Sequence, residues 1–172
     1  MKTEEKLVDV NLNSAFYISP LGPVEITEAN GLITSISFED ELDDQVQTSA
    51  SNSVLQNAIQ QLDEYFQGNR TSFDLPIKAN GTDFQQKVWT ELQHIPYGQT
   101  ITYQHLALRL GNMKVIRAAA SANGKNPLGI IIPCHRVVGV DGKLTGYAGG
   151  LHRKQWLLAH EARISGNSSQ LF

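Results

Sequence analysis

The amino-acid sequence predicts an α/β fold of the α+β type, with a small N-terminal α/β part and a mostly helical C-terminal part. Apolar and polar residues alternate through residues 16–39 around Asn30-Gly31, a pair typical of a tight antiparallel hairpin turn. Residues 53–67 carry apolar side chains at the period of an amphipathic helix. Beyond residue 82 the helical period recurs, with capping residues and short glycine-containing turns between the helices.

The segment between the two parts is predicted from composition. Residues 39–51 are acidic and polar and are expected to form a loop, while residues 73–75 suggest a short strand. Residues 76–81 contain Pro and Gly and interrupt the apolar pattern where the charge changes sign. We therefore expect an N-terminal α/β domain over 1–78 and a C-terminal domain over 79–172.

The C-terminal part is predicted to begin with a helix over 83–93, which Thr82 or Asp83 can cap. Thr102 is expected to cap a short helix that ends at Gly111, and a second helix is expected over about 113–123, closed by Gly124. Two short helices joined by a tight glycine-containing turn are typical of a helix-turn-helix.

Residues 130–132 are three isoleucines and predict a buried strand that leads directly into Pro-Cys-His-Arg. Asp141-Gly142 indicates a turn, and residues 146–150 form a glycine-rich loop. Residues 152–163 are predicted to form a closing helix.

The charge of the chain is unevenly distributed. Residues 1–75 hold three basic and thirteen acidic side chains, and residues 76–172 hold eleven basic and four acidic ones, within a net charge of −3. The basic part can bind a polyanion although the whole chain is acidic. Chance segregation of solvated charges is the alternative explanation.

Several classes of protein are disfavoured by composition. The sequence has no apolar run of the ~18 residues that a membrane helix needs. Residues 1–10 are charged and carry no apolar signal-peptide core, so we expect a cytoplasmic protein without a membrane partner. One cysteine permits neither an internal disulfide nor a cysteine-based zinc site, and we expect no metal and no cofactor.

The lone cysteine, Cys134, is a candidate nucleophile. A thiol reacts as its thiolate, which is a minor form at neutral pH, so it needs a base or a positive neighbour. His135 and Arg136 adjoin it, and a His oriented by Glu161 could accept the thiol proton directly or through one water. Neighbouring side chains on an extended strand point to opposite faces, but a bend at Pro133 could place both in one pocket. A buried, inert cysteine remains the alternative.

The residues around Cys134 resemble a known active site. Residues 131–138, Ile-Ile-Pro-Cys-His-Arg-Val-Val, are similar to the acceptor-site stretch of the methylated-DNA–protein-cysteine methyltransferases, or O6-alkylguanine-DNA alkyltransferases, of the bacterial Ogt-like kind. The resemblance extends over about residues 80–162, and residues 1–75 match only loosely, as the family's variable N-terminal α/β domain. Its further segments are residues 84–89, 101–107, 117–120, 122–127, 145–150 and 156–161.

The resemblance implies a fold and an activity. The C-terminal domain is expected to contain a winged-helix-like helix-turn-helix that enters the minor groove of double-stranded DNA, with the protein acting as a monomer. An O6-alkylguanine, or less readily an O4-alkylthymine, would be flipped out of the duplex. Its alkyl group would pass irreversibly to Cys134, so that each molecule acts once in repairing DNA by direct reversal.

The resemblance also assigns roles to residues. Cys134, His135 and Glu161 match the family's thiol-activating set, with His135 acting through a water. Tyr103 is expected to press the phosphate and to donate to the departing guanine, and Asn126 to tie the active-site turn. Arg117 is expected to fill the vacated base stack. The other residues assigned to DNA binding are basic, or are small enough to let the helix backbone come close to the DNA, and they are Ala118, Ala119, Ala122, Lys125 and Arg136.

The substrate pocket is assigned in the same way. Backbone groups of Cys134 and Val137 are expected to read the guanine edge, and the loop through Tyr147, Ala148 and Gly149 to hold the alkyl oxygen.

Three positions bear on the shape of that pocket. Pro133 is expected to shape the active-site turn. Gly129 stands where some relatives carry Pro, and Ala148 where some carry a hydroxyl residue. Because both departures would enlarge the pocket, we expect alkyl groups larger than methyl to be tolerated.

Simpler interpretations exist for the individual residues and for the whole chain. Without the resemblance, Arg117 is an ordinary solvated helix residue and Tyr103 an ordinary helix-face aromatic. A module that binds alkylated DNA without chemistry is the alternative function, but such relatives carry another residue at the position of Cys134. A cysteine hydrolase is a third possibility and would turn over.

Overall fold

The computed structural model describes residues 11–43 and 50–167. The charged segment 1–10 and residues 44–49 of the expected acidic loop therefore lie outside the described residues.

The N-terminal sheet has three antiparallel strands in the order β1-β2-β3, namely Leu12–Ser19, Gly22–Ala29 and Leu32–Phe38. The predicted hairpin is confirmed, although β1 begins four residues before the predicted limit. Asn30 and Gly31 both have positive φ, at 53° and 81°, as a two-residue hairpin turn requires.

Helix α1, Ser53–Phe66, packs its apolar face against this sheet and matches the predicted helix to within one residue. Asn52 caps it, because its side-chain oxygen accepts from the Leu55 N–H at 2.9 Å. The Asn52 amide also donates to Glu28 Oε2 at 2.9 Å and so ties the start of the helix to β2.

The strand predicted over 73–75 is wrong. The Gln61 side chain bonds both backbone groups of Asp74, each at 2.8 Å, and thereby takes the positions that a neighbouring strand would use. Only Ile77, two residues further on, forms an isolated bridge to Ile33 of β3.

The C-terminal part contains the predicted helix pair. Helix α2 spans Asp83–Leu92, α3 spans Tyr103–Arg109 and α4 spans Ile116–Gly124. Thr102 caps α3 as predicted, accepting from the His105 N–H at 3.1 Å. The predicted helix over about 113–123 divides, because its first turn is a 3-10 turn and only the remainder is α-helical.

The buried strand predicted over 130–132 is also wrong. This segment is a turn in which Ile130 has a φ of 70° and the Ile132 N–H donates to Leu128 O at 2.9 Å. The backbone bonds are local, so no neighbouring strand is needed. The next strand along the chain is β5, Val137–Val138, which pairs in parallel with β4, Ile101–Thr102.

Helix α5, Leu151–Ser165, extends the predicted closing helix at both ends and carries residues that reach both parts of the chain. One apolar core runs through α1, the sheet and the helices of the C-terminal part. Strand β3 is attached directly to the C-terminal part, because the Ile36 N–H donates to Pro127 O at 2.9 Å. None of the helices in the described segments has the length and hydropathy needed to cross a membrane.

Candidate active site

Cys134 lies in a tight 3-10 turn rather than on an extended strand. The turn spans Cys134–Arg136 and follows Pro133, whose φ and ψ are −81° and 61°. The Arg136 N–H donates to Pro133 O at 3.0 Å and the Val137 N–H donates to Cys134 O, which together close the turn. The Cys134 side chain is only 6 % exposed. The predicted bend at Pro133 is therefore present, and consecutive side chains are not forced to opposite faces.

Two fully buried side chains, His135 and Glu161, meet beside this turn, with His135 Nε2 2.7 Å from Glu161 Oε1. Glu161 also accepts from Arg136 Nε at 2.9 Å, from the Tyr65 hydroxyl at 2.8 Å and from the Gly98 N–H at 3.2 Å. Burial alone would raise the pKa of Glu161, but His135 and Arg136 outweigh it and hold that pKa well below its ordinary value. Glu161 is therefore a carboxylate.

The protonation of His135 follows from this contact. Burial lowers the pKa of His135, although the Glu161 carboxylate opposes the shift, so the ring is neutral at rest. Because a carboxylate only accepts, the ring proton lies on Nε2. Nδ1 is buried and has no hydrogen-bond partner among the described residues. The ring thus keeps a free lone pair, as a general base needs.

A buried cation lies close to the thiol. Burial raises the pKa of Cys134, while a hydrogen bond with Asn126 and the charge of Lys154 lower it. Lys154 is fully buried on α5, and its ammonium donates to Val137 O at 2.6 Å and to Thr145 O at 3.0 Å. Burial lowers the pKa of Lys154 to about 8, although the electrostatic effect of Cys134 raises it. Lys154 can therefore favour the thiolate over the thiol.

Sequence reasoning missed Lys154 and Tyr65. Lys154 precedes Glu161 by seven residues, which is two helical turns, so both project from one face of α5. That spacing was a usable signal for Lys154. No local signal marks Tyr65, because it reaches Glu161 from helix α1 in the N-terminal part of the chain.

Asn126 and Asn123 fix the backbone around the thiol. Asn126 Nδ2 donates to Ile132 O at 2.7 Å, and its Oδ1 accepts from the Leu128 N–H at 2.9 Å. The buried Asn123 side chain donates to Cys134 O at 3.3 Å. These bonds take the place of the strand ladder that residues 130–132 lack.

A cavity of about 160 Å³, which we name the acceptor cavity, opens beside Cys134. It is larger than the ~30 Å³ that one water occupies in the liquid. Its walls come from both the N-terminal and the C-terminal parts of the chain, with residues 35–38 of β3 on one side. The predicted site residues that line it are Cys134, Asn126, Gly129, Tyr147, Ala148 and Gly149.

Two predicted substrate residues lie elsewhere. Pro133 lines a separate cavity of about 420 Å³ together with Arg136. The Val137 side chain is fully buried, its N–H donates to Cys134 O, and its carbonyl accepts from Lys154. That carbonyl keeps a second lone pair, so its contact with guanine stays a prediction.

An open depression of about 450 Å³ lies between α3, α4 and the glycine-rich loop. Tyr103 begins α3, lines this depression and donates its hydroxyl proton to Thr145 O at 3.1 Å. Burial is the main cause that raises the pKa of Tyr103, so its phenol is protonated. Arg117 lines the same depression and is exposed, as are Ala118 and Lys125 nearby.

Three residues predicted to contact DNA are not on this surface. Ala119 and Ala122 are 0 % and 2 % exposed and face the core, where the Trp89 indole of α2 donates to Ala122 O at 2.8 Å. Their small size lets α4 approach α2. Their buried side chains are therefore unavailable to DNA, whereas a close approach of the helix backbone to DNA stays a prediction.

Arg136 is the third such residue. Its guanidinium is buried and donates to both Glu161 oxygens, at 2.9 and 3.0 Å, and to Ile95 O at 2.7 Å. It also lies 5.6 Å from the centre of the Tyr97 ring. The prediction of a DNA contact is wrong because the buried carboxylate engages this cation. In the described segments, no three His, Cys, Asp or Glu side chains cluster as metal ligands.

Two family models match the chain. The model described as "6-O-methylguanine DNA methyltransferase, DNA binding domain" matches residues 83–163. The one described as "6-O-methylguanine DNA methyltransferase, ribonuclease-like domain" matches residues 12–79.

Named relatives match over nearly their full length. A methylated-DNA–protein-cysteine methyltransferase of Mycolicibacterium paratuberculosis is 42% identical over 156 residues, which cover 90% of this chain and 94% of the relative. One from Methanosarcina barkeri is 42% identical over 146 residues, covering 83% and 92% of the two chains.

Solved structures agree with these matches. The crystal structure of the Mycobacterium tuberculosis O6-methylguanine methyltransferase has a TM-score of 0.79 at 38% identity, covering 90% of this chain and 94% of that one. The M. tuberculosis OGT crystallised in complex with DNA has a TM-score of 0.77 at 40% identity, covering 87% and 93%. The chain therefore belongs to the 6-O-methylguanine DNA methyltransferase family.

Proposed function

We propose that this protein is a methylated-DNA–protein-cysteine methyltransferase, which repairs DNA by direct reversal and accepts an alkyl group from O6 of guanine on Cys134. The observation that carries the proposal is the buried Cys134 beside the acceptor cavity, next to a neutral His135 whose proton position is set by Glu161. A binding module without chemistry would not need this arrangement. Family membership, together with the retained cysteine, also favours transfer over hydrolysis.

The proposed reaction begins with the thiol proton. It passes to His135 Nδ1 through one water, and the resulting imidazolium is stabilised by the Glu161 carboxylate 2.7 Å away. The ammonium of Lys154 stabilises the thiolate electrostatically. Because the resting thiol is held protonated by burial, the nucleophile forms only when this base and this cation act on it.

The transfer step moves the alkyl group from O6 of guanine to the Cys134 sulfur. The thiolate sulfur forms a bond to the alkyl carbon, and the bond from that carbon to O6 breaks with its electrons remaining on the guanine. The Tyr103 phenol, which is protonated, supplies a hydrogen bond or proton to the guanine anion. When Tyr103 gives its proton to the guanine, the proton that His135 took from the thiol returns to Tyr103 through solvent, so the number of protons is unchanged. The thioether has no built-in reversal, so each molecule acts once.

DNA binding is proposed for the surface around the open depression. Arg117 would enter the vacated base stack, and Tyr103 would press the phosphate so that the damaged base turns outward. The exposed residues Ala118 and Lys125 lie beside them. A shallow surface with few base-reading side chains suits the minor groove, whose contacts carry little sequence information. An O4-alkylthymine would be a poorer substrate of the same site.

The remaining sequence predictions are retained as proposals. Matches of separate family models to residues 12–79 and 83–163 support a domain boundary near residues 78 and 79. We propose that the C-terminal domain forms a winged-helix-like helix-turn-helix and that the protein acts as a monomer in the cytoplasm, without a cofactor.

Transfer of isotopically labelled methyl from an O6-methylguanine duplex tests the proposal. We expect the label to become covalently attached to the wild-type protein. The Cys134→Ala variant is expected to take up no label yet to retain affinity for the alkylated duplex. Label that remains on DNA after incubation with folded wild-type protein would contradict the proposal.

A further inference from the structure

The N-terminal domain contributes one wall of the acceptor cavity. We propose that Phe38, at the end of β3, is a specificity-determining residue that limits the size of the alkyl group accepted by Cys134. This inference rests on the proposed function and extends it to a residue outside the catalytic domain. Residues 35–38 and Cys134 line the same cavity, so the protein encloses the acceptor sulfur between its two domains.

The wall is held in place by backbone hydrogen bonds. The Ile36 N–H donates to Pro127 O at 2.9 Å, and the Gly129 N–H donates to Ile36 O at 3.0 Å. A Cβ at position 129 would lie 3.1 Å from Ile36 O, so the absence of a side chain at Gly129 permits this close approach. The space left by the small residue is thus occupied by β3, and the cavity ends at a fixed strand.

A buried cation holds the Phe38 ring. The guanidinium of Arg153, which is 6 % exposed, lies 5.0 Å from the centre of this ring. The same guanidinium donates to Leu21 O, Gly149 O and Glu39 O, each at 3.1 Å. Arg153 therefore ties the end of β3 to the glycine-rich loop and leaves Phe38 little freedom to move aside.

Phe38 also packs against the loop that borders the sulfur. A Cβ built on Gly149 would lie 3.0 Å from Phe38 Cδ2 and 2.9 Å from Tyr147 Cε1. The ring and the loop are therefore in van der Waals contact, with no room for another carbon between them. A longer alkyl chain must either stop at this ring or displace it, together with the Arg153 contacts that hold it.

Smaller and larger side chains at position 38 should change the preference for long over short alkyl groups in opposite directions. Each extra methylene in an apolar pocket typically changes discrimination by about 10–200-fold. Phe38→Ala and Phe38→Leu should therefore raise the rate of transfer from O6-butylguanine relative to O6-methylguanine by about tenfold or more. Phe38→Trp should lower the same ratio, because the larger ring narrows the cavity.

Single-turnover rates on matched duplexes carrying O6-methyl-, O6-butyl- or O6-benzylguanine provide the test. Phe16→Ala is the control, because Phe16 is a half-buried aromatic of the same sheet that does not line the cavity. Its butyl-to-methyl ratio should equal that of the wild type. Circular dichroism and thermal melting identify any variant that fails to fold, in which case Phe38→Leu and Phe38→Trp carry the comparison.

The possible outcomes separate the inference from the proposed function. If wild-type protein transfers methyl and the ratios move in opposite directions for Phe38→Leu and Phe38→Trp, the inference is supported. If methyl is transferred but both ratios match those of the wild type, Phe38 does not set alkyl size. If wild-type protein transfers no alkyl group at all, the proposed function itself has failed.

Discussion

Replacing Arg136 with methionine removes the cation that compensates the buried charge of Glu161. Among residues 11–43 and 50–167, Glu161 accepts five hydrogen bonds, two from Arg136 and one each from His135, Tyr65 and Gly98. Breaking a buried ion pair costs roughly 3–5 kcal/mol because a charge is left uncompensated. Since three of the five bonds remain, we expect a loss near the lower limit, about 3 kcal/mol.

Thermal unfolding measures this loss. For a chain of this size, each kcal/mol lowers Tm by roughly 2–4 °C, so Arg136→Met should melt about 6–12 °C below the wild type. The matched control is Arg70→Met, which breaks the surface pair between Arg70 and Glu64, whose side chains are 27% and 31% exposed. Solvent screens that pair, and its loss should change Tm little.

The loss of thermal stability caused by Arg136→Met should depend on pH. The pKa of Glu161 is lowered in the folded state, so its stabilising contribution is present above the ordinary glutamate value near 4.5 and is lost as pH falls. Arg136→Met should raise that pKa and reduce the loss, so the difference in Tm between variant and wild type should shrink in acid. Equal Tm changes for Arg136→Met and Arg70→Met at neutral pH would refute the reasoning.

Further predictions concern the cations and the base around the site. Arg117→Ala should slow repair strongly in duplex DNA and least in single-stranded substrate, as measured by single-turnover transfer on both; equal slowing would contradict a role in base flipping. Lys154→Met should raise the pKa of Cys134 and move the pH–rate profile for transfer to higher pH, because the charge of Lys154 lowers that pKa; an unshifted profile would show that this charge does not act on the sulfur. His135→Gln should slow transfer near neutral pH and let the rate recover partly at higher pH, where the thiol ionises without a base; a uniform loss at every pH would argue against general-base action.

Local sequence signals predicted much of the fold. Asn30-Gly31 identified the hairpin because few other pairs adopt two consecutive positive φ angles. Thr102 identified the start of α3 because its hydroxyl accepts from a backbone N–H within the same turn. These signals work because donor and acceptor lie within a few residues of each other.

The errors arose where side chains replace backbone partners. Ile130 and Ile132 are buried as expected and Ile131 is partly buried, but the Asn126 side chain supplies hydrogen bonds to the backbone, so the segment forms a turn without a neighbouring strand. At residues 73–75, Gln61 does the same from thirteen residues away. Apolar patterns report burial and carry no information about where the backbone hydrogen bonds go.

The sequence predicted the acceptor residue of the site, Cys134, better than it predicted the buried charged residues around it. Adjacency in sequence suggested His135, the predicted closing helix offered Glu161 to orient it, and the family resemblance assigned both to the thiol-activating set. Arg136 was wrongly assigned to DNA binding and Lys154 was missed, because the residue type alone does not show whether a Lys or Arg side chain is buried or exposed. Tyr65 reaches Glu161 across 96 residues of chain, and no local pattern encodes that contact.

Repair as proposed depends on one step, the permanent acceptance of the alkyl group by Cys134. Intact-protein mass spectrometry after incubation with excess O6-methylguanine duplex tests it most directly, with peptide mapping to locate the adduct. We expect one added methyl group per molecule, located on Cys134, and a repair yield that stops when the protein is consumed. Repaired guanine in excess over protein, or repair that leaves the Cys134 peptide unmodified, would contradict it.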